Sequence, residues 1–428
     1  RVAGHETDTG RRIKRTVAKS EYIAALDIGT TKVCCFIAEK DSGDRIQVTG
    51  IGYHASEGLK AGSIVDMQAA EQSVLAAVHA AEQMAGTTIR EVIVNVSAGE
   101  PTSGFVDIDT ELKSQAVGDR ELGRLFNDQK LSNLAAKRHL VHAIPIGYEI
   151  DGSNGIRDPI GLYGHKLGVR LHTVTAAPSV LQNVVNCVER CRLQIADFAV
   201  NPYAAGVACV VEDELDLGVT VVDMGGGTTS IGIFFEGALV HVDMIPIGGA
   251  HITSDIAQGF STPLHHAEWL KTFHGTCLFS PTDETEIISV PRVGEEEDAQ
   301  APTLPKSFLV SIIAPRVEET LELVRDRLVA SGLDRKAGRR VVLTGGASQL
   351  PGVREFAGQI LDKQIRMGRP IRISGLADAT EGPAYSVCAG LLSLGVEERG
   401  EAWPPPPMEL AEANGVFGKI GGWLRANF

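Results

Sequence analysis

Residues 24–32 have the sequence AALDIGTTK, and residues 221–229 have the sequence VVDMGGGTT. Each stretch is an apolar strand that ends near an aspartate, followed by a glycine turn and paired threonines. Because glycine has no Cβ, the backbone N–H groups of such a turn can approach phosphate oxygens closely. Two matching hairpins therefore predict two similar lobes that hold one nucleotide between them.

The aspartates of the two hairpins, Asp27 and Asp223, are the predicted magnesium-binding residues. Mg²⁺ keeps most of its water shell and takes few carboxylates, so we expect both side chains to hold it through water. The alternative, that each Asp only caps an ordinary turn, does not explain why the whole pattern is repeated. The sequence contains no Gly-x-x-x-x-Gly-Lys-Ser/Thr loop, so the hairpin turns are the predicted phosphate-binding elements. Their candidate residues are Gly29, Thr30, Thr31, Lys32, Gly225, Gly226, Gly227, Thr228 and Thr229.

Further candidates lie outside the two hairpins. The Gly345-Gly346 turn, which follows a buried strand, would let the backbone lie against the adenosine, where any side chain would collide, although glycine turns after strands are common. An acidic and a basic residue three positions apart on one helix face could both reach a ribose, although such a pair is more often a surface salt bridge. These candidates are the turns Gly248-Gly249 and Gly345-Gly346, the nearby Ser348, and the pair Glu268 and Lys271.

The 428-residue chain is long enough for several domains, and its formal net charge is −14. Binding to nucleic acid needs clustered Lys and Arg, so this charge argues against a nucleic-acid partner. Of the seven cysteines, Cys187 and Cys191 are spaced so that they could bind a metal, but we expect buried, reduced thiols. No run of eighteen apolar residues and no apolar signal core is present, which predicts a cytoplasmic protein.

Composition also marks the segments around the two lobes. Residues 1–19 are polar and lack apolar periodicity, which predicts a disordered tail. The distance between the hairpins exceeds what one lobe needs, so we predict an inserted α+β subdomain at residues 104–180, with one helix near residues 119–134. Residues 280–306 are rich in Pro, Asp and Glu and are predicted to form a solvated loop. Four consecutive prolines, residues 404–407, indicate a stiff linker.

The C-terminal residues 415–428 have the sequence GVFGKIGGWLRANF, with large apolar residues at helical spacing. This pattern is typical of an amphipathic helix that lies in a membrane interface. One copy would bind lipid only marginally, whereas many copies on a polymer would bind well, because later attachments are intramolecular. The alternative is a helix that docks back onto the protein's own core. The predicted lipid-facing residues are Phe417, Ile420, Trp423, Leu424 and Phe428, with Lys419 and Arg425 at polar positions.

The hairpin pair and the Gly345-Gly346 turn resemble the nucleotide site of the actin, sugar-kinase and chaperone ATPase superfamily. Within it, residues 20–428 are similar to the FtsA family of bacterial cell-division proteins. This resemblance is carried by residues 151–161, Val188-Glu189-Arg190-Cys191, residues 253–257, Ala267-Glu268 with Lys271, and the proline linker with its terminal helix.

The resemblance implies an α/β fold of the actin-like ATPase type, with two ribonuclease-H-like lobes around a nucleotide cleft. It adds an inserted α+β subdomain and a C-terminal amphipathic helix. The implied organisation is a tail (1–19), a first lobe (20–103, 181–208 and 383–398), the insert (104–180), a second lobe (209–253 and 319–382) with its own subdomain (254–318), a proline-rich linker (399–414) and the amphipathic helix (415–428).

The resemblance also implies a function. Such a protein binds ATP and Mg²⁺, polymerises through contacts that include the insert, and tethers the tubulin-like protein FtsZ to the cytoplasmic face of the inner membrane at the division septum, where later division proteins are recruited. The FtsZ C-terminal tail would bind residues 254–318, with Arg316 and Glu319 as contacts. The alternative for Arg316 is a solvated helix charge.

Asn201 stands where related filament proteins often carry Glu, which can orient an attacking water. An amide cannot accept that water's proton, so we expect slow or negligible ATP hydrolysis.

Two other functions fit the same kind of fold. A sugar or metabolite kinase would need a catalytic base at the cleft mouth, and the sequence offers no clear candidate. A pilus-assembly adaptor would be recruited by a membrane-protein tail and would need no anchor of its own. The amphipathic C-terminal pattern argues against both.

Overall fold

A computed structural model describes residues 22–40, 46–113, 116–294 and 301–396. The strands are β1 (Tyr22–Ile28), β2 (Lys32–Lys40), β3 (Ile46–Ala55), β4 (Leu59–Lys60), β5 (Ser63–Ile64), β6 (Glu91–Val96), β7 (Thr102–Glu111), β8 (His139–Ile150), β9 (Ser153–Ile156), β10 (Lys166–Ala176), β11 (Gln194–Val200), β12 (Val219–Met224), β13 (Thr229–Phe235), β14 (Ala238–Ile245), β15 (Ile287–Ser289), β16 (Thr303–Pro305), β17 (Arg340–Thr344) and β18 (Gln364–Met367). The α-helices are α1 (Met67–Ala85), α2 (Asp119–Phe126), α3 (Gln129–Ala135), α4 (Pro178–Arg190), α5 (Asn201–Cys209), α6 (Glu212–Leu217), α7 (Gly249–Phe260), α8 (Leu264–His274), α9 (Lys306–Ala330), α10 (Val353–Leu361) and α11 (Ser386–Val396). Short 3₁₀ turns cover Pro281–Glu284, Gly346–Gln349, Asp378–Thr380 and Pro383–Tyr385.

Two five-stranded sheets with the same topology form the two lobes. The first has the order β3-β2-β1-β6-β11 and the second the order β14-β13-β12-β17-β18. In each sheet the first three strands of the lobe are antiparallel, and the next two run parallel to the first. The central strands β1 and β12 are almost entirely buried, as their continuous apolar sequences predict. The two similar lobes predicted from the hairpins and the α/β fold class implied by the family resemblance are confirmed.

Helices α5 and α11 pack closely where the two lobes meet. Gly206 of α5 lies against the ring of Phe234 on β13, and Gly390 of α11 lies against the backbone of Ala204. A Cβ at either glycine would collide with these neighbours. Two glycines thus let α5 pack between the second lobe and α11.

The inserted region folds around a core of its own. Its four-stranded antiparallel sheet has the order β7-β10-β8-β9 and packs against α2 and α3. The single helix predicted near residues 119–134 is wrong, because the chain forms two helices that break at Asn127 and Asp128. The Asp128 carboxylate accepts a hydrogen bond from the Lys130 N–H at 2.8 Å and so caps the start of α3.

Between β14 and β17, the second lobe contains α7, α8, the β15–β16 pair and α9. The solvated loop predicted for residues 280–306 is wrong in part, since β15 pairs with β16 and Asp283 is buried beside Lys306. Helix α9 is continuous, so the predicted boundary between residues 318 and 319 falls inside it. One apolar core joins α7, α8 and α9 to the sheet of the lobe.

The described chain begins and ends in the first lobe. Near the end of α11, Gly395 lies beside Ile23 of β1 and Ile93 of β6. The predicted tail, the proline-rich linker and the amphipathic helix, with all its candidate lipid-facing residues, lie outside the described residues. None of the helices in the described ranges has the length and apolar character needed to cross a bilayer.

Candidate nucleotide site

The two hairpins share one hydrogen-bond geometry. In the first, the Gly29 N–H donates to the Lys32 carbonyl at 3.0 Å, and in the second the Gly225 N–H donates to the Thr228 carbonyl at 2.9 Å. Each bond closes the tight turn between the first two strands of its lobe, β1–β2 or β12–β13. The matched sequences therefore form matched structures.

The turns of the two hairpins touch each other. A Cβ at Gly226 would lie 2.5 Å from the Thr31 hydroxyl, and one at Gly227 would collide with Thr30. Neither glycine has a positive φ angle. Glycine is needed here because the facing hairpin approaches closely, and not because of the backbone conformation.

Both predicted magnesium-binding carboxyls lie at the base of the cleft between the hairpins. Asp27 is 8% exposed and Asp223 is 4% exposed. Burial raises the pKa of Asp27 to about 7, and the charge of Lys32 opposes this shift. Burial also raises the pKa of Asp223 to about 6, against a hydrogen bond from Asn201 and the charge of Lys32. The positive charge near these two buried carboxyls does not offset the cost of burying their ionised forms. A divalent cation bound beside them would favour the ionised forms.

The cleft has two adjoining compartments, which share Thr31, Gly225, Gly226 and Gly346. The compartment at the hairpins, here called the phosphate compartment, has a volume of about 190 Å³. It is lined by Asp27, Gly29, Thr30, Thr31, Lys32, Ser97, Asn201, Asp223, Gly225, Gly226, Gly227, Thr228, Gly345, Gly346, Pro383, Ala384 and Val387.

The second compartment, here called the nucleoside compartment, has a volume of about 330 Å³. It is lined by Thr31, Gly225, Gly226, Gly249, Ala250, Ile252, Glu268, Lys271, Thr272, Gly346, Ala347, Gln349, Leu350 and Pro351. Glu268 and Lys271 form an ion pair of 2.6 Å at its wall, and the Lys271 ammonium also donates to Thr253 at 2.8 Å. The structure thus places this predicted pair in the cleft, held in position by Thr253.

Gly345 is the one predicted glycine of the cleft that needs a left-handed backbone, with φ of 87°. A Cβ on it would lie 2.5 Å from the Asp223 carboxylate.

Three of the predicted residues, Thr229, Ser348 and Gly248, line neither compartment. The Thr229 hydroxyl donates to the Ile247 carbonyl, the Ser348 hydroxyl donates to the Gly345 carbonyl, and Gly248 packs on the backbone of the second hairpin. These three residues stabilise the backbone around the cleft and do not line it.

The sequence reasoning missed several residues of the site. Asn95, at the end of β6, connects β1 to Asn201 by hydrogen bonds. Lys32 donates to the Ala384 carbonyl at 2.8 Å, and its ammonium lies 3.4 Å from the centre of the Tyr385 ring. Isolated Asn and Tyr residues carry no local signal in a sequence, so only the fold brings them to the cleft.

Arg316 and Glu319 lie on α9, away from both compartments. Arg316 makes two hydrogen bonds to the Asp255 carboxylate of α7, at 2.6 and 3.1 Å, and a third to Glu319. Its side chain is 27% exposed. A partner that binds here would have to share a guanidinium that already holds two carboxylates.

The residues present fit a magnesium nucleotide. Asp27 and Asp223 would hold the ion, which neutralises phosphate charge when bound. The phosphates would face Lys32 and the backbone N–H groups of the two turns. The ribose would face Glu268 and Lys271. The Asn201 amide donates to Asp223 at 3.2 Å, and an amide is too weak a base to take a proton from water.

Comparisons with known proteins agree with this geometry. The family model for cell division protein FtsA matches residues 220–390, and that for the SHS2 domain inserted in FTSA matches residues 98–175. The chain is 41% identical over 426 residues to cell division protein FtsA of Rhizobium meliloti, with 96% of each chain covered. It is 32% identical over 426 residues to that of Escherichia coli (strain K12), which covers 97% of this chain and 100% of the relative.

Among solved structures, a chain of the PilM-PilN type IV pilus biogenesis complex has a similar fold. The TM-score is 0.62 at 17% identity, and the match covers 88% of this chain and 98% of that chain. This likeness shows the fold alone. The identities of 41% and 32% extend over nearly the full length of the division proteins and show the family. This chain belongs to the FtsA family of cell division proteins.

Proposed function

We propose that this protein binds ATP and Mg²⁺ in the cleft, polymerises on the cytoplasmic face of the inner membrane at the division septum, and tethers FtsZ filaments there. The observation that carries the proposal is the pair of matched hairpins facing each other with one buried carboxylate apiece. Their adjoining compartments provide separate spaces for phosphates and nucleoside. Membership of the FtsA family supports the cell-division role.

In this proposal, nucleotide binding sets the relative position of the two lobes, and ATP hydrolysis has a minor part. The two hairpins belong to different lobes, so a nucleotide between them joins the lobes into one closed body. Asn201 occupies the place for a water-orienting group and its amide is already engaged with Asp223. Slow or negligible hydrolysis is therefore part of the proposal.

The C-terminal residues 415–428 provide the proposed attachment to lipid. A single amphipathic segment binds a membrane weakly, and a polymer that carries many of them binds strongly. The partners in this proposal are the lipid surface, further copies of the protein, the FtsZ C-terminal tail and later division proteins.

The test uses the full chain on lipid monolayers with MgATP, imaged by negative-stain electron microscopy beside a variant that ends at Glu412. We expect filaments or small rings on lipid from the full chain only. A bare monolayer with dispersed monomers would overturn the scaffold function, and a screen of small-molecule acceptors for kinase activity would follow. Measured affinity for MgATP in solution separates failure of nucleotide binding from failure of membrane attachment.

A further inference from the structure

A chain of hydrogen bonds crosses the floor of the cleft from one lobe to the other. The Ile28 N–H donates to Asn95 Oδ1 at 2.7 Å, Asn95 Nδ2 donates to Asn201 Oδ1 at 3.1 Å, and Asn201 Nδ2 donates to Asp223 Oδ2 at 3.2 Å. Both amides are buried, with 3% exposure for Asn95 and 7% for Asn201. These four residues are called the amide relay below.

The orientation of each amide in the relay follows from its first member. A backbone N–H can only donate, so Asn95 must turn its oxygen toward Ile28 and its NH₂ group toward Asn201. Asn201 must then accept with its oxygen and donate with its NH₂ group to the Asp223 carboxylate. A flipped Asn201 would set two acceptors against each other, and burial makes such an arrangement costly.

The relay joins elements that are far apart in the sequence. Ile28 ends β1 and Asn95 lies near the end of β6, both in the first lobe, whereas Asp223 lies near the end of β12 in the second lobe. Asn201, the first residue of α5, lies between the lobes and lines the phosphate compartment. Asn95 does not line that compartment, so any effect it has on a ligand must pass through its hydrogen-bond partners, Asn201 on one side and Ile28 on the other.

We propose that Asn95 is a positioning residue, which through Asn201 holds an amide donor on Asp223 and so keeps this carboxylate aimed for a magnesium nucleotide. The inference rests on the proposed function, since it assumes that Mg²⁺ and nucleotide bind in this cleft. The geometry supports it, because Asn95 Nδ2 donates to Asn201 Oδ1 and so leaves the Asn201 NH₂ group facing Asp223 Oδ2 at 3.2 Å.

The test is a double-mutant cycle in the full-length protein. Titration calorimetry measures the affinity for a non-hydrolysable ATP analogue, with Mg²⁺ and with EDTA, in wild type, Asn95→Ala, Asn201→Ala and the double variant. We expect Asn95→Ala to weaken binding of the magnesium complex roughly tenfold, because Asn201 is then no longer held with its NH₂ group toward Asp223, and that hydrogen bond is to a charged group. In the Asn201→Ala background the same change should alter affinity less than about twofold, because the intermediate link is already gone.

Ser73→Ala is the matched control. Ser73 is a buried polar residue of the same lobe, 2% exposed, and its hydroxyl accepts from the Glu57 N–H at 3.0 Å. This variant should lower the unfolding midpoint and leave the affinity for the magnesium complex unchanged.

Three results would overturn the inference: wild-type affinity in Asn95→Ala, an equal loss in the Asn201→Ala background, or an equal loss in EDTA. Wild-type protein that binds no magnesium nucleotide would instead overturn the proposed function, and the inference with it.

Discussion

The carboxyls of Asp27 and Asp223 are buried, so their protonation should affect the stability of the protein when no magnesium nucleotide is added. Their pKa values of about 7 and about 6 lie above the ordinary value of 3.8. The folded state therefore holds protons that the unfolded state has lost. Stability contributed by these groups falls as pH rises from about 4 to about 7.

Asp27→Asn should accordingly raise the unfolding midpoint at pH 8 by more than at pH 5, measured in EDTA, because at pH 5 the folded wild-type carboxyl is already neutral. The same variant should lose most of the stabilisation that MgATP gives at pH 8. Asp326→Asn, which changes an exposed carboxylate on α9, is the control. An equal gain at both pH values would show that the Asp27 carboxyl titrates normally.

Asn201→Glu should raise the rate of ATP hydrolysis, because a carboxylate at this position can accept a proton from water. It should also weaken MgATP binding, because the amide that donates to Asp223 at 3.2 Å is lost. Phosphate release at saturating MgATP measures the first effect. Asn201→Gln has the same length as Glu without the charge and should not raise the rate. Unchanged turnover in Asn201→Glu would count against the idea that the missing carboxylate limits hydrolysis.

Among the structural elements, the two hairpins fit together only because of their glycines. A Cβ at Gly226 would lie 2.5 Å from Thr31, so Gly226→Ala should hold the turns apart. Such a clash typically costs about 1–3 kcal/mol. We expect MgATP affinity to fall on the order of tenfold, and Thr31→Ala to restore part of it by removing the atoms that clash.

Gly123→Ala is the matched control, since Gly123 lies in α2 with nothing near its Cβ position. Full affinity in Gly226→Ala would mean that the hairpins do not close onto each other around the nucleotide.

The hairpins could be predicted from sequence because strand, aspartate and turn glycines are neighbours in the chain. Asn95 could not, because its partners Ile28 and Asn201 are 67 and 106 positions away and a single Asn in an apolar strand is no signal. The break between α2 and α3 was missed for another reason. There the apolar periodicity continues through residues 119–134, while the Asp128 side chain caps a new helix.

On the scale of the whole molecule, the proposed contact with the FtsZ tail depends on a guanidinium that is already paired. Arg316→Ala should weaken binding of an FtsZ tail peptide to the full chain, measured by fluorescence anisotropy, and also remove the link between α7 and α9 made through Asp255. Arg325→Ala is the control, since Arg325 is an exposed residue of the same helix. If Arg316→Ala and Arg325→Ala bind the tail peptide with equal affinity, the tail binds at another site.

The first and last described elements, β1 and α11, pack together in the first lobe. In a molecule held to a surface through its C-terminal segment, the first lobe would therefore be the lobe nearer along the chain to the point of attachment. Closing of the cleft would swing the second lobe, with α7, α8 and α9, through an arc relative to the bilayer. The angle between the second lobe and the membrane would then differ between the nucleotide-bound and the nucleotide-free protein.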